Sequence, residues 1–164
     1  MVSPVTSDWL DDFCRTVEHA GEQLLLITEE QAALPKAVGK WSPKQTIGHL
    51  IDSAANNHQR FVRAQFTDDL VCPAYDQDAW IEVQRYNEES WSQLVGLWQH
   101  YNLHLAHVMT AVAEQARTKL RTPHNLDRVA WQTVSTTEPV TLEYFMRDYV
   151  RHLQHHLDQI FAVM

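Results

Sequence analysis

The stretch "DYVRHLQHHLDQI", residues 148 to 160, places three histidines within five positions: His152, His155 and His156. On a helix advancing about 100° per residue, His152 and His156 fall one turn apart, near the line of Phe145 and Tyr149 at the edge of an apolar stripe. Two imidazoles spaced i, i+4 on a rigid scaffold can converge on one divalent ion. The same spacing also suits two half-buried histidines hydrogen-bonded to neighbouring helices. His155 is expected to point further round, toward solvent.

Two other groups of histidines share a face. His100, His104 and His107 line up well to the side of the Leu97, Tyr101 and Leu105 core line, which reads as a flank or a surface ridge. Further upstream, His58 falls with Ile47 and Ile51, whereas His49 shares a face with Gln45, Asp52 and Asn56. That polar set is either a solvated face or the lining of an internal cavity, and periodicity leaves both open.

The elements that would position these residues are helical. Leu10, Phe13, Val17, Ala20, Leu24 and Ile27 recur in steps of three and four, predicting a first amphipathic helix over about residues 8–31. Ser7 is its expected cap, with Asp8, Asp11 and Asp12 at the positive end of the dipole. "WSPKQ" at 41–45 is a sharp start signal: Ser42 as cap, Pro43 at the first helical position and Gln45 closing a capping box. The second helix should run from Pro43 to about Phe66, burying Ile47, Leu50, Ile51, Ala54, Phe61 and Val62. A third opens after Asn87 with Glu88 and Glu89 in its first turn. It carries Leu94, Leu97, Trp98, Tyr101, Leu105, Val108 and Val112 on one side and fades near Arg117. Thr141 caps a fourth, whose stripe is Leu142, Phe145, Met146, Tyr149, Leu153, Leu157 and Ile160. The two long connections, after residue 66 and after residue 117, show no sustained helical period beyond a short turn in the second.

Four glycines and six prolines give too little punctuation for many short strands, so an all-α, up-down-type four-helix bundle in a single domain over residues 1–164 is expected. The balance of 13 basic against 21 acidic residues, with no Lys or Arg stripe, argues against nucleic acid. "MVSPVTSDWLDDF" lacks the basic and apolar regions of a secretory signal. The longest aliphatic run, "LLLI", is far short of the ~20 residues a membrane span needs. A cytoplasmic protein without a membrane partner is therefore expected. Cys14 reads as a small buried hydrophobe and Cys72 as an unpaired loop residue.

"WSPKQTIGHLIDSAANNHQRF", followed a hundred residues later by "DYVRHLQHHLDQI", resembles the DinB/YfiT-like superfamily of bacterial proteins. The likeness covers essentially the whole chain, with "YDQDAWIEVQRYNEES" similar to the family's run into its third helix. It implies a four-helix bundle in which three histidines bind a divalent metal: His49 of the G-H-L, and His152 and His156 of the last helix. His49, Asp52 and Asn56 would then face a cavity rather than bulk water. The family is functionally mixed. Some members resemble transferases or isomerases that use low-molecular-weight thiols, others are described as metal-dependent hydrolases, and many have no assigned activity.

Three neutral imidazoles leave an ion with open positions, as catalytic sites do. Such an ion could activate water for hydrolysis, or a low-molecular-weight thiol cosubstrate for transfer to a small-molecule electrophile. Zinc or nickel suits the ligand set best, with manganese or iron also compatible. Asp52, one turn beyond His49, is a candidate for orienting a ligand or acting as general base, against the alternative of a surface carboxylate. Asn56, Tyr75, Asp76 and Tyr149 are further pocket candidates. The contrasting expectation is a non-catalytic protein whose metal secures the bundle. A homodimer is expected from the family likeness alone.

Overall fold

The computed structural model describes residues 8–162, and Ser7 lies outside them. Among the described residues the regular structure is all helical apart from two isolated bridges, Leu70 with His124 and Arg121 with Val140. Four long helices form the bundle: α1 (Asp8–Leu24), α3 (Pro43–Arg63), α5 (Trp91–Ala111) and α8 (Leu142–Phe161). Between them lie α2 (Glu29–Ala33), α4 (Gln77–Gln84), a 3-10 turn (Tyr86–Glu88), α6 (Glu114–Thr118) and α7 (Leu126–Val129). No helix among the described residues is long and apolar enough to cross a membrane.

Local chemistry sets several boundaries. Ser42 and Gln45 form the expected reciprocal capping box at the start of α3, and the Thr141 hydroxyl accepts from the Tyr144 N–H at the start of α8. The first helix stops earlier than the reading over residues 8–31. Thr28 and Gln31 make a second capping box, a local alternative to continuing the helix. The Trp91 indole N–H then takes up the Leu24 carbonyl. The third long helix begins at Trp91, with Glu88 and Glu89 before it, and α6 is separate from its end. The connection after α3 also contains an ordered helix, α4, capped by the Asp76 carboxylate.

The stripes of α3 and α8 are buried as expected, except that Val62 is only half-buried. On α5 the buried face is wider and rotated. It comprises Trp91, Leu94, Val95, Trp98, Asn102, Leu105, Ala106 and Met109, while Leu97 is 49% exposed. Helix α5 packs against both α1 and α3, so it needs two apolar faces where a single stripe was read.

The directions of the helices explain the long connections. Ser42 and Lys44 meet Asn87 and Glu89, and one bundle length further on His58 meets Tyr101 and His104. Helices α3 and α5 therefore run in the same sense. Helices α1 and α5 are antiparallel, with Leu24 at Trp91 and Glu18 at Gln99. So are α3 and α8, with His49 at His152 and Phe61 at Phe145. The expected four-helix bundle is present, but its second and third long helices do not alternate. The chain after α3 must travel back along that helix, about 30 Å at 1.5 Å per residue. It does so as a strap: the Pro73 carbonyl lies on Arg60, Gln84 and Tyr86 on Asp52, and Asn87 on Ser42.

Gly48 makes the strap's close approach feasible. A Cβ there would sit 2.1 Å from the buried Tyr86 ring. Gly48→Ala is expected to destabilise the fold by ~1–3 kcal/mol through overpacking, read by urea denaturation. An unchanged urea midpoint would contradict this contact.

Candidate metal centre

His49 is fixed by the buried first half of α3, and His152 and His156 by one face of α8. The three rings converge through their Nε2 atoms. His49 Nε2 lies 3.2 Å and His156 Nε2 3.0 Å from His152 Nε2. One ligand atom from each residue lies within 4.8 Å of the others. At metal–nitrogen distances of about 2.0–2.1 Å, neighbouring ligands sit roughly 3.0 Å apart in octahedral and 3.3 Å apart in tetrahedral geometry. The observed spacings fall in that range, so this donor set fits one small divalent ion.

The surroundings favour neutral imidazoles. Burial, and then the neighbouring His156 charge, pushes both His49 and His152 down to about 3. Burial also lowers His156, against the upward pull of its hydrogen bond to Gln159. His156 Nδ1–H donates to the Gln159 carboxamide oxygen, 3.0 Å away, which leaves Nε2 as the lone-pair atom. The same carboxamide donates to exposed His155 at 3.0 Å. Two tryptophans wall the centre: Trp41 lies 5.0 Å from the His49 ring and 6.3 Å from His156, and Trp131 lies 6.3 Å from His152 and 5.2 Å from His155. His49 Nδ1 is buried with no protein hydrogen-bond partner.

These shifts give a signed pH dependence for the metal-free protein. An unfolded histidine titrates near 6.5, whereas folded His49 and His152 titrate at about 3. Between those values the unfolded chain binds more protons, so stability falls as pH drops through the window and levels off below it. The melting temperature of chelator-treated protein is expected to fall between about pH 6.5 and 4, and His152→Gln to flatten that fall. Identical slopes for the two proteins would contradict the burial argument.

Asp52 is 4% exposed, so it is not a surface carboxylate. Its Oδ1 accepts from the Tyr86 hydroxyl at 2.7 Å and from Gln84 Nε2 at 2.9 Å, while Oδ2 is buried without a partner. Burial raises its pKa against the pull of those two hydrogen bonds. Tyr86, raised by burial and then by Asp52, stays protonated as the donor. The structure therefore places Asp52 against the strap rather than in a hydrogen bond to a histidine of the cluster. Asn56 donates to the Asp52 carbonyl, and Asp76 is spent on capping α4. Tyr75 and Tyr149 line a cavity of about 310 Å³ that His152 also borders. His100, His104 and His107 are exposed on the flank of α5, as read from the sequence.

Sequence reasoning missed Trp41, Trp131, Gln159 and Asp148. Gln159, one turn beyond His156, had a usable spacing signal. Asp148 had another, since it stands four residues before His152 on the same line of α8. Its carboxylate accepts the Trp131 and Gln132 N–H groups at 2.8 and 2.9 Å, pinning the second connection beside the centre.

An all-helical bundle with three inward imidazoles defines a class of histidine-centred helical proteins. Residues 15–160 match the DinB superfamily, and the chain belongs to it. It is 24% identical over 135 residues to YfiT of Bacillus subtilis (strain 168), covering 82% of this chain and 70% of that protein. The solved structure of YfiT, described as "a probable metal-dependent hydrolase with an unusual four-helix bundle topology", matches with a TM-score of 0.76 at 23% identity, over 99% of this chain and 87% of that one. A Bacillus cereus (strain B4264) protein that also carries a metal-dependent hydrolase name is 25% identical over 84 residues, 49% of each chain. The mycothiol-dependent maleylpyruvate isomerase matches in fold with a TM-score of 0.63 at 14% identity, over 90% of this chain and 59% of that one.

Proposed function

We propose that the chain is a metal-dependent enzyme acting on a small molecule, with His49, His152 and His156 as the ligands of one divalent ion. The observation that carries this reading is the convergence of three imidazoles, with His152 Nε2 3.2 Å from His49 Nε2 and 3.0 Å from His156 Nε2 and one ligand atom of each residue within 4.8 Å of the others, on rings that burial holds neutral. Three ligands rather than four leave room for a reactant, the mark of a catalytic rather than a structural site. Zinc and nickel suit three imidazoles best, with manganese and iron also accepted.

A bound ion would supply Lewis acidity sufficient to generate a nucleophile from water or a thiol near neutral pH. The chain's own residues do the rest. Gln159 holds the His156 tautomer, and Trp41 and Trp131 flank the centre. Asp52 is the residue proposed to accept a proton or to steer one, because it follows His49 by one turn of α3 and its Oδ2 has no partner. Hydrolysis is supported by the names of the relatives, and use of a low-molecular-weight thiol by the fold likeness to a mycothiol-dependent isomerase.

The test is an activity screen on metal-replete protein: ester and amide hydrolysis, and conjugation of a chlorinated nitroarene with several cellular thiols. One of these activities is expected, and it should disappear together with the metal in His152→Ala. Inactivity in every assay with metal bound would instead support a non-catalytic metal-binding protein.

A further inference from the structure

The cavity that borders His152 also holds a buried cation without a carboxylate partner. Arg60, on α3, is 6% exposed. Its Nη2 donates to the Pro73 carbonyl at 2.7 Å and its Nη1 to Asn57 Oδ1 at 3.4 Å, while Nε is buried with no partner. None of the ion pairs among the described residues involves it. The guanidinium lies over the Phe145 ring, 5.9 Å from its centroid, and lines the cavity with Asn57, Tyr75, Trp131, Asp148 and His152.

Among the described residues Asp148 is the one carboxylate in that lining, and it is already committed. Its two oxygens take the Trp131 and Gln132 N–H groups and face Arg151 at 3.6 Å. Burial pushes Tyr75 up to about 12, so its hydroxyl is a donor at neutral pH. Arg128, exposed at the rim, adds a second positive charge. Burying a guanidinium with no counter-charge is unfavourable, and its planar fork of donors matches a carboxylate.

We propose that this cavity binds a small molecule bearing a carboxylate, held by Arg60 at one end, with the molecule's reacting group directed toward the three-histidine centre at the other. Phe145, beneath Arg60, and His152 are seven residues apart on α8, which sets the span between the two ends at roughly 10 Å. The inference rests on the metal-dependent reading for the ligand's orientation but not for its binding.

The probes are glutarate and its neutral twin glutaramide, titrated into the purified 164-residue chain and followed by NMR shifts that include the Trp131 indole. Metal content is measured on the same samples. Wild type is expected to bind glutarate at least about tenfold more tightly than glutaramide, and Arg60→Gln to bring the two within about twofold. Asn57→Asp, which gives Arg60 a carboxylate from within the chain, should weaken glutarate in the same way. Should Arg60→Gln fail to fold, the wild-type ratio and Asn57→Asp decide. Equal affinities in wild type, or a folded Arg60→Gln that keeps the preference, would overturn the proposal. A preference lost in metal-bearing wild type leaves the metal reading intact and removes this one. An Arg60-dependent preference in protein that binds no metal does the reverse.

Discussion

His152→Ala is expected to lower bound metal from about one ion per chain to under a tenth of that, with the helical fold retained. His152 is the middle member of the cluster, its Nε2 within 3.2 Å of His49 and 3.0 Å of His156. Without it only two donors remain, one on α3 and one on α8. His49→Ala should have the same effect, because it removes the only ligand that α3 supplies. His155→Ala is the control. His155 reaches His156 through the Gln159 carboxamide and by a ring-edge contact at 5.4 Å between centroids, outer contacts of the kind whose loss weakens a metal by ~10–100-fold, so metal supplied in excess should restore it. Elemental analysis of the purified proteins, with circular dichroism for the fold, reads these outcomes. Full metal content in either His49→Ala or His152→Ala would refute the ligand assignment.

Asp148→Ala should give the largest loss of stability among changes around the site, about 3–5 kcal/mol. The carboxylate is 2% exposed. Removing it orphans the Trp131 and Gln132 N–H groups and takes away the partner of Arg151. The segment that carries the Trp131 wall would then be free to leave α8, so proteolytic cleavage near residues 130–135 should appear along with the lower urea midpoint. Asp148→Asn, which keeps one acceptor oxygen, should fall between wild type and alanine. A loss below ~1 kcal/mol with unchanged proteolysis would show that the carboxylate does not hold the connection.

Much of this arrangement was legible as local pattern. "WSPKQ" marked the start of α3, and the seven apolar positions read on α8 are all buried, because both signals are written in neighbouring residues. The i, i+4 spacing of His152 and His156 likewise reported a shared face. Helix direction has no such signature. The parallel run of α3 and α5 showed itself only as a connection too long for a simple turn, and its physical cause is the return along α3. Leu97 was misplaced for a related reason, since one stripe suffices for a helix with one neighbour but not for α5, which has two.

The face of His49 and Asp52 was undecidable from the period of α3 alone. Gln84 and Tyr86, more than thirty positions later, cover it and donate to Asp52 Oδ1. Arg60 was equally hidden, because an arginine on an amphipathic helix normally points its head into water. Only the strap's Pro73 carbonyl and the Phe145 ring show that this one is enclosed.

The central claim is that three imidazoles, and no other side chains, hold one divalent ion. X-ray absorption at the metal edge of the purified protein tests it most directly. For zinc, a shell of imidazole nitrogens at about 2.0–2.1 Å with no sulfur contribution is predicted. A metal-free protein after growth and purification with zinc and nickel supplied, or a sulfur shell at about 2.3 Å drawing on Cys14 or Cys72, would contradict it.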